Sequence, residues 1–223
     1  MKFNFFCRLF ILIAFIFSNV HINAQSYPFG EQISRFMQQD SIFFPEKGQI
    51  LFIGSSTFTL WHDVAGYFPG YPIINRGFGG SALPDLIYYA NDVILPYQPK
   101  QIVIYCGEND FAREESLSAE VVADRFERLF AEIRAHLPET HVAFVSMKPS
   151  PSRVHLMGKF EVANKLIESF LAEKKNTAFI DIYHPMLNED GTPKQEIFKE
   201  DNLHMNQKGY QLWQPIIEPH LLK

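Results

Sequence analysis

Short apolar runs alternate with longer amphipathic stretches along most of the chain. Ile50–Ile53, Ile73–Asn75, Gln101–Tyr105, His141–Ser146 and Ala178–Ile182 have strand length and are rich in β-branched and aromatic residues. They are nearly continuous in apolar character, which is the pattern of strands buried on both faces. Between them the spacing predicts helices around Gln32–Asp40, over Ser56–Gly66 with Leu60 and Trp61 inward, and over Pro84–Leu95. A long amphipathic helix spans Ser118–His136, with Val121, Val122, Phe126, Leu129, Phe130 and Ile133 on one face. Two more follow over Phe160–Lys174 and from about Gln207. Strands alternating with helices predict an α/β fold, a parallel five-stranded sheet covered on both faces. No repeat, low-complexity tract or linker interrupts the pattern. It therefore reads as an approach segment over 25–48 and one domain over 49–223.

The first 24 residues do not fit this alternation. Lys2 and Arg8 precede nine uninterrupted apolar residues, Leu9–Phe17, and a more polar stretch ends at Ala24. That is the layout of a secretory signal peptide, and the apolar run is shorter than the ~20 residues of a membrane span. The expectation is export to the periplasm or the exterior, with no stable membrane insertion after cleavage. The competing reading is an anchor formed by an uncleaved N-terminus, since Phe3–Phe6 add apolar length. Cleavage would remove two cations and take the net charge from −5 to −7. With no basic run, nucleic acid is not an expected partner. Cys7 leaves with the leader and shows no lipid-anchor context. Cys106 alone remains, at the end of an apolar run, and reads as a buried structural thiol. Nothing in the pattern fixes the oligomeric state.

Carboxyl ends of strands in a parallel sheet share one edge, where ligand crevices form. The chain places distinctive residues there. Gly54-Ser55-Ser56 follows the first strand and Gly77-Phe78-Gly79-Gly80 the second. Gly107-Glu108-Asn109-Asp110 follows the third, and Asp201-Asn202-Leu203-His204 precedes the last helix. A serine after Gly54 either caps the following helix or serves as a nucleophile once a base takes its proton. His204 can be that base, because imidazole titrates near neutrality. Asp201 can fix its tautomer and stabilise the imidazolium. The Ser56 N–H, the Gly80 N–H and the Asn109 amide can together receive an oxyanion. Alternatives are weaker: the glycines miss the G-x-G-x-x-G spacing of a dinucleotide loop, and Asp-x-x-His lacks further ligands for a metal. The second glycine of G-x-S-x-G is replaced by Phe58, so the strained elbow of that motif is not indicated.

These four blocks, in this order, resemble the SGNH hydrolases, also called GDSL-type esterases and lipases. The likeness runs from about Gln49 to Leu221. It implies a flavodoxin-like three-layer α/β/α fold and ester hydrolysis through an acyl-enzyme, without metal or cofactor. It assigns the nucleophile to Ser56 rather than Ser55, the base to His204, its partner to Asp201, and oxyanion donors to Ser56, Gly80 and Asn109. The family's usual Asp before the nucleophile is Ser55 here, which leaves the hydrogen bonding of that turn open. Phe68–Leu83 and Lys148–Arg153 look like a bacterial branch related to platelet-activating-factor acetylhydrolase-like esterases, which implies short acyl groups. The expected partner is a small-molecule or carbohydrate ester. Two other readings are a non-catalytic binding module on this fold and a long-chain lipase or thioesterase. Lys148–Arg153 and Tyr183–Pro185 read as pocket borders, with Lys148 and Arg153 as solvated loop charges.

Overall fold

A computed structural model describes residues 27–223, and the leader read over 1–24 lies outside the described residues. Five parallel strands, β1 (Ile50–Gly54), β2 (Ile73–Asn75), β3 (Gln101–Tyr105), β4 (His141–Val145) and β5 (Thr177–Ile180), form one sheet in the order β2-β1-β3-β4-β5. All four neighbouring pairs are parallel. The period-two alternation of side chains sorts the strand residues into two cores. Leu51, Ile53, Ile102, Ile104, Val142 and Phe144 face one core, while Ile50, Phe52, Val103, Tyr105, Ala143 and Val145 face the other. The first core is closed by α1 (Gly30–Ile42), α4 (Leu83–Tyr88), α5 (Ala90–Val93), α7 (Ala119–His136) and α8 (Met157–Ala172). The second is closed by α2 (Ser56–Thr59), α3 (Val64–Tyr67) and α9 (Gln207–Ile217). A further short helix, α6, covers Glu108–Arg113. The architecture is the three-layer α/β/α arrangement expected from the alternation.

Local departures from the sequence reading have visible causes. The single helix expected over Ser56–Gly66 is two short ones. The Asn75 side chain donates to the carbonyls of Phe58 (2.7 Å) and Trp61 (3.3 Å), which a continuous helix would need for itself. The helix expected over Pro84–Leu95 breaks at Tyr89, whose hydroxyl donates to the Pro28 carbonyl at 2.9 Å. On α7, Val121 is exposed and Ala123 takes its place in the buried stripe. Among the described residues no helix is long and apolar enough to cross a membrane.

The order of strands makes the gap above β1 and β3 the topological switch point, because the chain leaves β1 for β2 on one side and returns to β3 on the other. Gly54 closes β1 at φ +145°, and a Cβ there would lie 1.9 Å from the Tyr105 carbonyl oxygen. The clash is with backbone, so no rotamer change relieves it. Gly54→Ala should cost about 3 kcal/mol or more in urea unfolding. Gly48→Ala, also at positive φ but with nothing within 4 Å, should cost only about 1–2 kcal/mol. Equal losses at both positions would show that the close approach of β1 to β3 does not set the cost.

Candidate active site

Ser56 is the first residue of α2, and Ser55 occupies the N-cap position without a side-chain capping bond. The Asp201–His204 turn stands over it. Asn202 takes the left-handed conformation, φ 56°, which asparagine tolerates better than most residues. The turn folds the amides of Leu203 (3.0 Å) and His204 (2.9 Å) onto Asp201 Oδ1. The other carboxylate oxygen, Oδ2, accepts from His204 Nδ1 at 2.6 Å. His204 Nε2 then faces Ser56 Oγ at 3.1 Å, a contact between residues 148 positions apart. Desolvation pushes the Asp201 carboxyl up, but the hydrogen bonds from the His204 ring and the two amides outweigh it and hold the carboxyl down to about 2.

Packing of α9 on α2 sets that distance. Tyr210 donates its hydroxyl to the Thr57 carbonyl at 2.9 Å, and Gln214 donates to the Tyr67 carbonyl at 2.6 Å. Trp61 fills the space between, against Tyr210 and Trp213. Asn206 caps α9 by accepting from the amides of Lys208 and Gly209. The histidine turn thus enters a fixed helix.

The other predicted residues come to the same place. Among the described residues the N–H groups of Ser56 and Gly80 have no hydrogen-bond partner. The loop carrying Gly80 is held on both sides. Gly79 N–H donates to Gln32 Oε1 of α1 at 2.9 Å, and the Gly80 carbonyl accepts from Arg113 at 2.6 Å. Asn109 Nδ2 donates to the Ser81 carbonyl (2.9 Å) and to Ser55 Oγ (2.7 Å). Ser55, at the position where an Asp was the family expectation, therefore supplies an acceptor for the Asn109 amide. A hydroxyl facing an imidazole that has a carboxylate partner, beside N–H groups free to donate, offers parts that acyl transfer requires.

Lys148 and Arg153 are not solvated, contrary to the sequence reading. Lys148 is fully buried, and its ammonium lies 3.2 Å from Glu108 Oε2. Burial pushes that ammonium down, and Glu108 opposes the shift. Arg153 donates to Glu108 Oε2 at 3.4 Å and to Asn109 Oδ1 at 2.9 Å. Glu108 also accepts from the Tyr105 hydroxyl and from the Lys148 amide. No periodicity announces this cluster, because all three charges sit in loops or first turns. The sequence signal was the proline spacing, Lys148-Pro149-Ser150-Pro151, which stiffens a loop against the site.

A second Asp-x-x-His turn also occurs. His184 Nδ1 contacts Asp181 Oδ2 at 2.7 Å, and Asp181 Oδ1 accepts from the Tyr183 and His184 amides. This copy lies beyond β5, where His184 borders a cavity with Glu161, Lys165 and Glu168, and among the described residues its Nε2 has no hydrogen-bond partner. A larger cavity of about 380 Å³ opens between α1 and the loops after β1 and β2. It is lined by Gln32, Arg35, Phe36, Gln39, Thr59 and His62, among others. A methyl group placed on Gly79 would touch Thr59 Oγ1 (3.8 Å), Gln32 Oε1 (3.9 Å) and Ser56 Cβ (3.9 Å), so Ser56 lies near two of the lining side chains.

Comparison with known proteins bears on the same residues. A model of the GDSL-like lipase/acylhydrolase family matches residues 54–212. The chain is similar in structure to a protein of Streptococcus pneumonia whose name refers to platelet activating factor. The TM-score is 0.75 at 19% identity, covering 86% of this chain and 92% of that one. A GDSL-like lipase of Bacteroides thetaiotaomicron gives 0.72 at 18% identity, covering 84% and 96%. An acetyl-xylooligosaccharide esterase of Geobacillus Stearmophilus gives 0.63 at 15% identity, covering 78% and 93%. At these identities the likeness is one of fold. No curated protein matches the chain in sequence.

Two outcomes are expected from the charges of the site. Lys148→Ala leaves the buried Glu108 carboxylate short of a partner and should cost about 3–5 kcal/mol in chemical unfolding. A loss within about 0.5 kcal/mol, the size of a surface change, would mean the pair is solvated. Since Asp201 keeps its charge until pH falls to about 2, the acid limb of kcat/KM should follow one ionisation. A second ionisation between about pH 3 and 5, the ordinary carboxyl range, would show that the turn does not hold Asp201 down.

Proposed function

The chain belongs to the GDSL-like lipase/acylhydrolase family, and we propose that it is an exported serine esterase that removes short acyl groups from polar alcohols. Hydrolysis of acyl esters is the general activity that this membership carries. The observation that carries the finer reading is the relay from Asp201 through His204 to Ser56, with contacts of 2.6 and 3.1 Å.

In the proposed cycle the Ser56 hydroxyl gives its proton to His204 Nε2 as Oγ attacks the ester carbonyl. Asp201 stabilises the imidazolium across Nδ1. Negative charge gathers on the former carbonyl oxygen, where the Ser56 and Gly80 N–H groups and the Asn109 amide can receive it. Collapse of the intermediate expels the alcohol, which takes the proton from His204 and leaves Ser56 acylated. Water then gives a proton to His204 and attacks the acyl-enzyme. The acid leaves and Ser56 recovers its proton.

The side chains of the cavity beside Ser56 support a polar alcohol. Two glutamines, an arginine, a histidine and a threonine outnumber the single Phe36 on its wall. Such groups can hydrogen-bond hydroxyls, as on a sugar. The leader over residues 1–24 supports export, with residues 49–223 as the hydrolase unit.

A p-nitrophenyl ester series from acetate to palmitate tests this reading against its alternatives. Turnover should be greatest at acetate, fall beyond butyrate and vanish in Ser56→Ala, with unfolding unchanged. Turnover that rises with chain length would favour a lipase. Equal rates in wild type and Ser56→Ala would leave a binding module. Loss in Ser55→Ala with retention in Ser56→Ala would move the nucleophile by one residue.

A further inference from the structure

Asn109 has two side-chain N–H groups, one on the Ser81 carbonyl and one on Ser55 Oγ at 2.7 Å. It can donate to an oxyanion only if its nitrogen faces the site and the second N–H turns from Ser55 to the oxyanion. Two fixed partners settle which way round the amide sits. The Ser81 carbonyl can only accept, and it meets Nδ2 at 2.9 Å. The Arg153 guanidinium can only donate, and it meets Oδ1 at 2.9 Å. A flipped amide would set oxygen against oxygen on one side and N–H against N–H on the other.

Arg153 is itself held. Its turn departs from helical geometry at φ −123°, and its second nitrogen lies 3.4 Å from Glu108 Oε2. The residue before it, Ser152, donates its N–H to the Asn202 carbonyl at 3.0 Å, inside the Asp201–His204 turn. Two basic side chains, Lys148 and Arg153, meet one carboxylate, Glu108, beside the amide. Little solvent reaches them: Lys148 is 2% and Glu108 9% exposed in their side chains. A positive charge bonded to the amide oxygen draws density from the nitrogen and strengthens its N–H groups as donors.

We propose that Arg153 is a positioning residue for ester hydrolysis, locking and polarising the Asn109 amide as an oxyanion donor. The proposal rests on the esterase reading above and on Asn109 acting in the oxyanion hole. Neither the Asp-His relay nor the substrate cavity involves Arg153 directly, so its removal should touch the transition state and not substrate binding.

The test is a double-mutant cycle on p-nitrophenyl acetate with Arg153→Met, Arg153→Lys, Asn109→Ala and the Arg153→Met/Asn109→Ala pair. Arg153→Met should lower kcat roughly 10- to 100-fold with KM within about twofold, less than loss of a whole donor. Arg153→Lys, which keeps the charge, should recover part of that loss. The double variant should be no slower than Asn109→Ala alone, because both changes remove one donor. Fully additive losses, or a rise in KM with kcat unchanged, would overturn the proposal. A second readout does not depend on turnover. In the Ser56→Ala protein the two side-chain amide protons of Asn109 should give separate, exchange-protected NMR signals. Adding Arg153→Met should bring them together and speed their exchange. Unchanged signals would overturn the positioning role even if the protein hydrolysed no ester offered, whereas loss of turnover in the wild type alone would count against the esterase reading.

Discussion

The close approach of β1 to β3 at Gly54 is the constraint from which the site follows. Because Gly54 has no side chain, its backbone runs against the Tyr105 carbonyl, and that carbonyl accepts from Ser55 N–H at 3.0 Å. On the other side the Gly54 carbonyl accepts from Phe78 N–H at 2.8 Å. One residue thus fastens the exit of β1 to the exits of both neighbouring strands. Ser56, Gly80 and Asn109 lie within a few residues of those bonds, so their relative positions are set by sheet geometry and not by loop preference. This is how a switch point becomes a rigid site instead of a crevice.

The polar groups around the proposed oxyanion hole are held from behind by side chains that would be costly to bury alone. Glu108, Lys148 and Arg153 are tolerable under the site because each charge meets an opposite one and the remaining lone pairs meet N–H or O–H donors. Arg113 and Gln32 do the same for the Gly79–Gly80 loop from the solvent side. Fixed dipoles need no rearrangement when charge develops, which is the main physical advantage of such an arrangement. Helix α1 precedes the segment that the family model matches, yet Gln32 reaches the glycine loop and the helix walls the adjoining cavity. The machinery of the matched segment and a feature outside it therefore meet at one glycine.

The two Asp-x-x-His turns show how little a local motif decides. Asp181–His184 and Asp201–His204 make the same internal hydrogen bonds, ring to carboxylate and amides to carboxylate. They differ in backbone, since Asn202 is left-handed and its counterpart Ile182 is not, and in what stands beyond Nε2. For His204 that is Ser56, delivered by the packing of Trp61, Tyr210 and Trp213 between α2 and α9. For His184 it is a cavity bordered by charged side chains of α8.

Much of this protein was legible in the chain itself. Strand runs and helix stripes are local consequences of side-chain period, so the five parallel strands and the covering helices could be read from alternation alone. The sequence order of the blocks, and the polar residues at the ends of strands, pointed to Ser56, Gly80, Asn109, Asp201 and His204. What it could not show was anything set by distance through space. The Asn75 side chain that divides the helix after Ser56 acts across 17 residues, and Glu108 meets Lys148 and Arg153 across 40 and 45. Lysine and arginine in a loop are usually solvated, and only the partner waiting in the fold reverses that expectation. Composition and period fixed the layers, because those are nearest-neighbour physics. The buried charges, the orientation of one amide and the choice between two similarly bonded histidine turns were decided by tertiary structure, because each depends on which distant residue supplies the partner.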